Sequence, residues 1–176
     1  MKTPKRLSKW WVQFPTQLRR ITICRFLASI GAVGVIYFTA LVFNNLSFTA
    51  TQIGIGFCIA AISGTLARLS AGIWLDKKNG SLSPLKVAAY LAIIADCFLF
   101  SAESTKSYLI GEFFLGAAAG FYWPSVEFLI PICSYKNESA KGFALARTAD
   151  ALGVRIGALI GLFLAQIGFI KCIFKR

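Results

Sequence analysis

Histidine is absent from the chain, and its five cysteines, Cys24, Cys58, Cys97, Cys133 and Cys172, stand singly with no Cys-x-x-Cys pair. Zinc and iron–sulfur sites need clustered Cys or His ligands at short spacings. No metal site is therefore expected, and the cysteines read as small, buried, apolar side chains. Acids are also scarce, with seven Asp and Glu against 19 Lys and Arg. Charged residues reach only 15% of the chain, against roughly 25% in an ordinary soluble domain. There is no Walker loop, which argues against an ATP-driven pump subunit. There is no metal set or nucleophile constellation either, which argues against an enzyme. No cofactor is expected.

What is abundant is apolar residue, 57% of 176, arranged in long blocks. A helix apolar on every face belongs in lipid or in a deep core. A bilayer crossing takes about 20 apolar residues. Five blocks reach that length, at about 21–43, 50–75, 84–102, 107–133 and 139–170. All are expected to be helices, because an open sheet leaves backbone groups unpaired in hydrocarbon. Thr49 and Gln52 fit a capping box at the start of the second block. Ser83 is the expected N-cap of the third, with Pro84 at its first position. Pro124 and Pro131 lie inside the fourth.

The net charge of +12 is distributed by position. The segment 1–20 carries Lys2, Lys5, Arg6, Lys9, Arg19 and Arg20 with no acid, and precedes the first block without a small-residue cleavage site. The 76–86 and 134–147 segments each carry three bases against one acid, whereas the 44–49 and 103–106 loops have no net positive charge. Bases on alternate loops mark the cytoplasmic side. The N-terminus is therefore expected inside a plasma or inner membrane, with Trp10 and Trp11 at the inner interface on a short lead-in helix. Such a pattern points to a lipid bilayer as partner and away from nucleic acid. Five crossings put the tail 171–176, with Lys171, Lys175 and Arg176, on the outer side, against the charge rule. The expectation drawn from this is a natural protein that continues beyond the fifth span.

Three motifs carry a family resemblance. Gly72-Ile-Trp-Leu-Asp76-Lys77-Lys78 closes the second block, with Gly80 following. It resembles the loop signature between the second and third helices of the major facilitator superfamily. Glu112-Phe-Phe-Leu-Gly116-Ala-Ala-Ala-Gly120, followed by Pro124, is similar to that family's fourth helix, with Glu112 where the family has a basic residue. Gly153, Gly157 and Gly161, four residues apart, resemble its fifth helix, with Ala158 in the place of a proline. Small residues at this spacing let helices approach closely. The resemblance implies an all-α integral membrane protein with five transmembrane helices of a six-helix N-terminal bundle. It also implies that Asp76 pairs with charges or a helix N-terminus at the inner gate.

Apart from Lys86, Lys141 and Arg147, counted above with the cytoplasmic segments, seven charged residues lie within the blocks: Arg25, Arg68, Asp96, Glu112, Glu127, Asp150 and Arg155. Each costs about 2.5–3.5 kcal/mol at a bilayer centre on insertion scales, so they are expected to face one another or a cavity. The expected network joins Arg68 or Arg155 to Asp150 and Glu127 as part of a gate. Arg25, Asp96 and Glu112 are candidates for a proton or substrate pathway. Gly116, Gly120, Pro124, Gly153, Gly157 and Gly161 are the expected packing positions.

The family implies secondary transport of a small molecule, with this chain as a truncated half that does not transport by itself. The alternative is a non-transporting membrane subunit or assembly factor that binds a partner, one supplying the missing helices, through the glycine faces.

Overall fold

The computed structural model describes residues 10–45, 47–77, 82–136 and 138–166, with the side chains of 34–42, 45 and 164–166 excepted. Residues 1–9, Lys78, Gly80, the 167–170 end of the fifth predicted span and the tail 171–176 lie outside these residues. Five long helices are present among the described residues: α1 (Thr16–Asn45), α2 (Ala50–Lys77), α3 (Ser83–Phe100), α4 (Thr105–Cys133) and α5 (Ser139–Gln166). No strand occurs among the described residues. By length and composition, α2, α3 and α4 are apolar enough to cross a membrane. One turn of helix at 10–12 precedes α1 at the predicted lead-in.

Local chemistry sets the helix ends. At the end of α1, the Phe48 N–H donates to Phe43 O at 3.0 Å and Ser47 takes a φ of 68°. The Phe43 and Phe48 rings meet at 5.0 Å. A six-to-one bond, a left-handed residue and an apolar contact across the turn together make a Schellman stop. The capping box of α2 forms in both directions: Thr49 N–H donates to Gln52 Oε1 at 2.8 Å, and Gln52 N–H donates to Thr49 Oγ1 at 3.2 Å. The start of α3 differs from expectation. Leu82, not Ser83, holds the N-cap position, without a side-chain cap bond, and Ser83 is already helical. Pro84 then lies in the first turn, where a missing N–H costs nothing.

The chain forms two compact units with boundaries at Val42/Phe43 and Leu129/Ile130. In the unit of α2, α3 and most of α4, glycine places α2 and α4 backbone against backbone. A Cβ on Gly64 would sit 3.0 Å from Gly116 O, and one on Gly120 would overlap Gly64 O. Ser63 Oγ donates across this seam to Phe113 O at 2.9 Å. Phe98 of α3 stacks on Phe114 of α4 at 6.1 Å and 15°.

In the other unit, Leu18, Ile130, Leu145 and Ala146 form a buried cluster, with Trp11, Phe14 and Ile21 packed on it. Farther along, a Cβ on Gly153 would sit 2.6 Å from Phe26 O, and one on Gly157 would sit 2.6 Å from Ile30 O. Lacking a Cβ at these two places, α5 lies directly on the backbone of α1.

One expectation is corrected here. Cys24, Cys58 and Cys97 are exposed on helix surfaces rather than buried, and among the described cysteines only Cys133 is partly covered. An apolar outer face accommodates a thiol as readily as a core does. Gly72 has nothing within 4 Å of where a Cβ would stand, so it mediates no close helix approach among the described residues.

Candidate functional site

The α1–α5 contact holds a buried ion pair. Arg25 is fully buried and sits one helical turn before Ser29. Its Nε lies 2.7 Å from both carboxylate oxygens of Asp150, and its Nη2 lies 2.6 Å from Asp150 Oδ2. Ser29 Oγ donates to Asp150 Oδ1 at 3.0 Å. Arg147, one turn earlier on α5 and exposed, stands 3.9 Å from Oδ2. Gly153 is the next turn after Asp150, and its contact with Phe26 and Ser29 brings the carboxylate level with the guanidinium. Charge-assisted fork geometry of this kind is strong and directional. It also costs desolvation, so its main energetic consequence is asymmetric: losing one partner strands the other.

The unit of α2–α4 holds a buried acid. Glu112 is 1% exposed, and its Oε1 has no hydrogen-bond partner among the described residues. Its carboxyl group reaches the hydroxyl of Tyr108, one turn earlier. The Tyr108 hydroxyl donates to Ile53 O at 3.1 Å, and its ring packs where Gly56 leaves room on α2. Phe43 and Phe48 close over the same ring, at 4.5 and 5.7 Å.

The remaining predicted residues fall into three groups. Arg68, Asp96 and Arg155 are exposed on their helices. Asp76 and Lys77 are exposed at the end of α2. Glu127 and Pro124 are half-buried in α4, and Gly161 is buried on α5. The expected partner of Asp150 was Arg68 or Arg155; the partner found is Arg25. Arg155 follows Asp150 by five residues, which at about 100° per residue turns it about 140° away around the helix. Gly116, Gly120, Gly153 and Gly157 all occupy close helix contacts. Ser29 and Tyr108 were not singled out from sequence, and Arg147 was read only as a base of the 134–147 segment, not as a neighbour of Asp150. The available signal was spacing, since each lies three or four residues from a predicted ionisable residue on the same helix face.

Long helices, three of them able to span a bilayer, together with charged side chains buried between helices, are the features of a multi-pass membrane protein. No protein-family model matches the chain. Over 143 residues, 81% of its length, the chain is 28% identical to Multidrug resistance protein 1 of Bacillus subtilis (strain 168). The matched region spans 36% of that relative.

Proposed function

We propose that the chain is part of a secondary transporter of the major facilitator type that carries small drug-like molecules. The observation that carries this reading is the similarity to Multidrug resistance protein 1 along 81% of the chain, in a protein built of long apolar helices. Its buried and exposed charges support it. Arg68 and Arg155 are exposed well inside α2 and α5, away from the helix ends. In hydrocarbon each would cost about 2.5–3.5 kcal/mol. A water-filled pathway completed by further helices removes that cost. In this reading all five helices cross the membrane with the N-terminus in the cytoplasm. The Arg25–Asp150 pair stiffens one part of the wall, and Glu112 lies beside the pathway.

The test is uptake of a lipophilic cationic dye by inverted membrane vesicles from cells with and without the gene, repeated with a protonophore. Gene-dependent uptake that collapses with the gradient is expected, and the purified chain alone in proteoliposomes is expected to carry nothing. Identical uptake with and without the gene, across dyes, sugars and amino acids, sinks the transporter reading. The alternative, a non-transporting membrane subunit, would then account for the same exposed charges as contacts with a partner protein.

A further inference from the structure

Between the lead-in turn and the α4–α5 turn is a cavity of about 470 Å³. It lies where α1 and α5 begin and α4 ends, so if these helices span the membrane it opens at the boundary between lipid and water. This inference rests on that spanning reading and not on transport.

The walls are of two kinds. Trp10, Phe14 and Tyr135 supply an aromatic side. Trp10 meets Phe14 edge to face at 5.1 Å and remains 46% exposed, and Tyr135 is 55% exposed. Lys136, Lys141 and Glu138 supply a charged side. Lys141 Nζ lies 2.7 Å from Glu138 Oε1, so the one acid among the described lining residues is already paired. Lys136 is thereby left as net positive charge, and Lys141 keeps two further N–H donors.

We propose that this cavity binds the phosphate headgroup of an anionic membrane phospholipid. The two lysines would hold the phosphate oxygens, and the aromatic wall would take the glycerol and upper acyl chain. Three features select this occupant. The excess charge is positive, and ammonium groups have a high affinity for phosphate oxygens. Exposed Trp and Tyr are side chains suited to the headgroup level, apolar in body and polar at one end. The pairing of Glu138 with Lys141 offsets the charge of that carboxylate and makes it a weaker partner for the ammonium of a zwitterionic headgroup. The four bases that precede Trp10 in the sequence strengthen the local attraction to an anionic surface.

The full chain in nanodiscs containing equal phosphatidylglycerol and phosphatidylcholine, examined by native mass spectrometry, provides the test. Phosphatidylglycerol is expected to dominate among retained lipids. The Lys136→Gln/Lys141→Gln variant should lose that preference by about fivefold per lysine, a factor equivalent to about 1 kcal/mol each. The Lys86→Gln/Lys106→Gln variant removes the same charge elsewhere and should retain the preference. Equal retention of both lipids, or equal loss in the two variants, overturns the proposal. Displacement of the bound lipid by millimolar inorganic phosphate also overturns it, because the site would then be one for free anions. Extraction of the chain by alkaline carbonate, which strips only peripheral proteins, would instead refute the spanning reading itself.

Discussion

At the scale of single residues, Asp150 is the position on which most depends. It accepts from a fully buried arginine and from Ser29, with a second arginine close by. Asp150→Ala leaves the Arg25 guanidinium buried without its carboxylate, which costs about 3–5 kcal/mol. A corresponding loss of thermal stability in detergent is expected. The double variant Arg25→Met/Asp150→Leu removes both charges while keeping volume, and should recover most of that loss. If the double variant is as unstable as the single, the pair is not the cause. Both members of this pair were legible in the sequence as charges within apolar blocks; their pairing was not. Depth along a helix can be counted from sequence at about 1.5 Å per residue. The partner across 125 residues depends on which helices adjoin, and no local spacing encodes that. Glu112 shows the same division. Its membership of an apolar block was plain, whereas its burial against Tyr108 depends on how α4 is turned toward α2.

At the scale of elements, small residues decide which helix lies against which. Apolar burial gives little preference between a helix surface and lipid tails, so close backbone contact and cross-helix hydrogen bonds carry association. Gly120→Ala places a methyl group on Gly64 O and should destabilise the α2–α4 seam by about 1–3 kcal/mol. Gly72→Ala meets nothing within 4 Å. There the helix propensity of alanine is unopposed, and a gain of about 0.5–1 kcal/mol is expected. Steric trapping or thermal unfolding in detergent distinguishes the two, and opposite signs are the informative result. From the sequence, Gly72 stood in a recognisable motif, but a motif does not reveal the space around it. The capping box at Thr49 and Gln52, by contrast, was fully legible, because every participant lies within four residues. The α3 start was misplaced by one residue, within the range over which a helix end is set by turn geometry rather than by residue preference.

At the scale of the whole molecule, the expectation concerns what surrounds the exposed charges. In a background with the native cysteines replaced by serine, Arg68→Cys and Arg155→Cys should react quickly with a membrane-impermeant maleimide. Ile62→Cys and Leu159→Cys, on strongly exposed apolar positions, should react slowly. A thiolate forms readily in water and poorly in hydrocarbon, so the contrast reports which faces meet an aqueous pathway. Uniformly slow labelling at all four positions would place both arginines in lipid or against a partner protein. The all-helical architecture was evident from block length and composition.

The ion pair between α1 and α5 also constrains the order of biosynthesis. Arg25 and Asp150 are separated by 125 residues. At a synthesis rate of about 5–20 residues per second, the arginine emerges roughly 6–25 s before its carboxylate. During that interval α1 carries an uncompensated cation that lipid disfavours. In the proposed reading, where all five helices cross the membrane, the first helix is expected to wait in the protein-conducting channel or at the headgroup layer, with its release into the bilayer coupled to the arrival of the fifth.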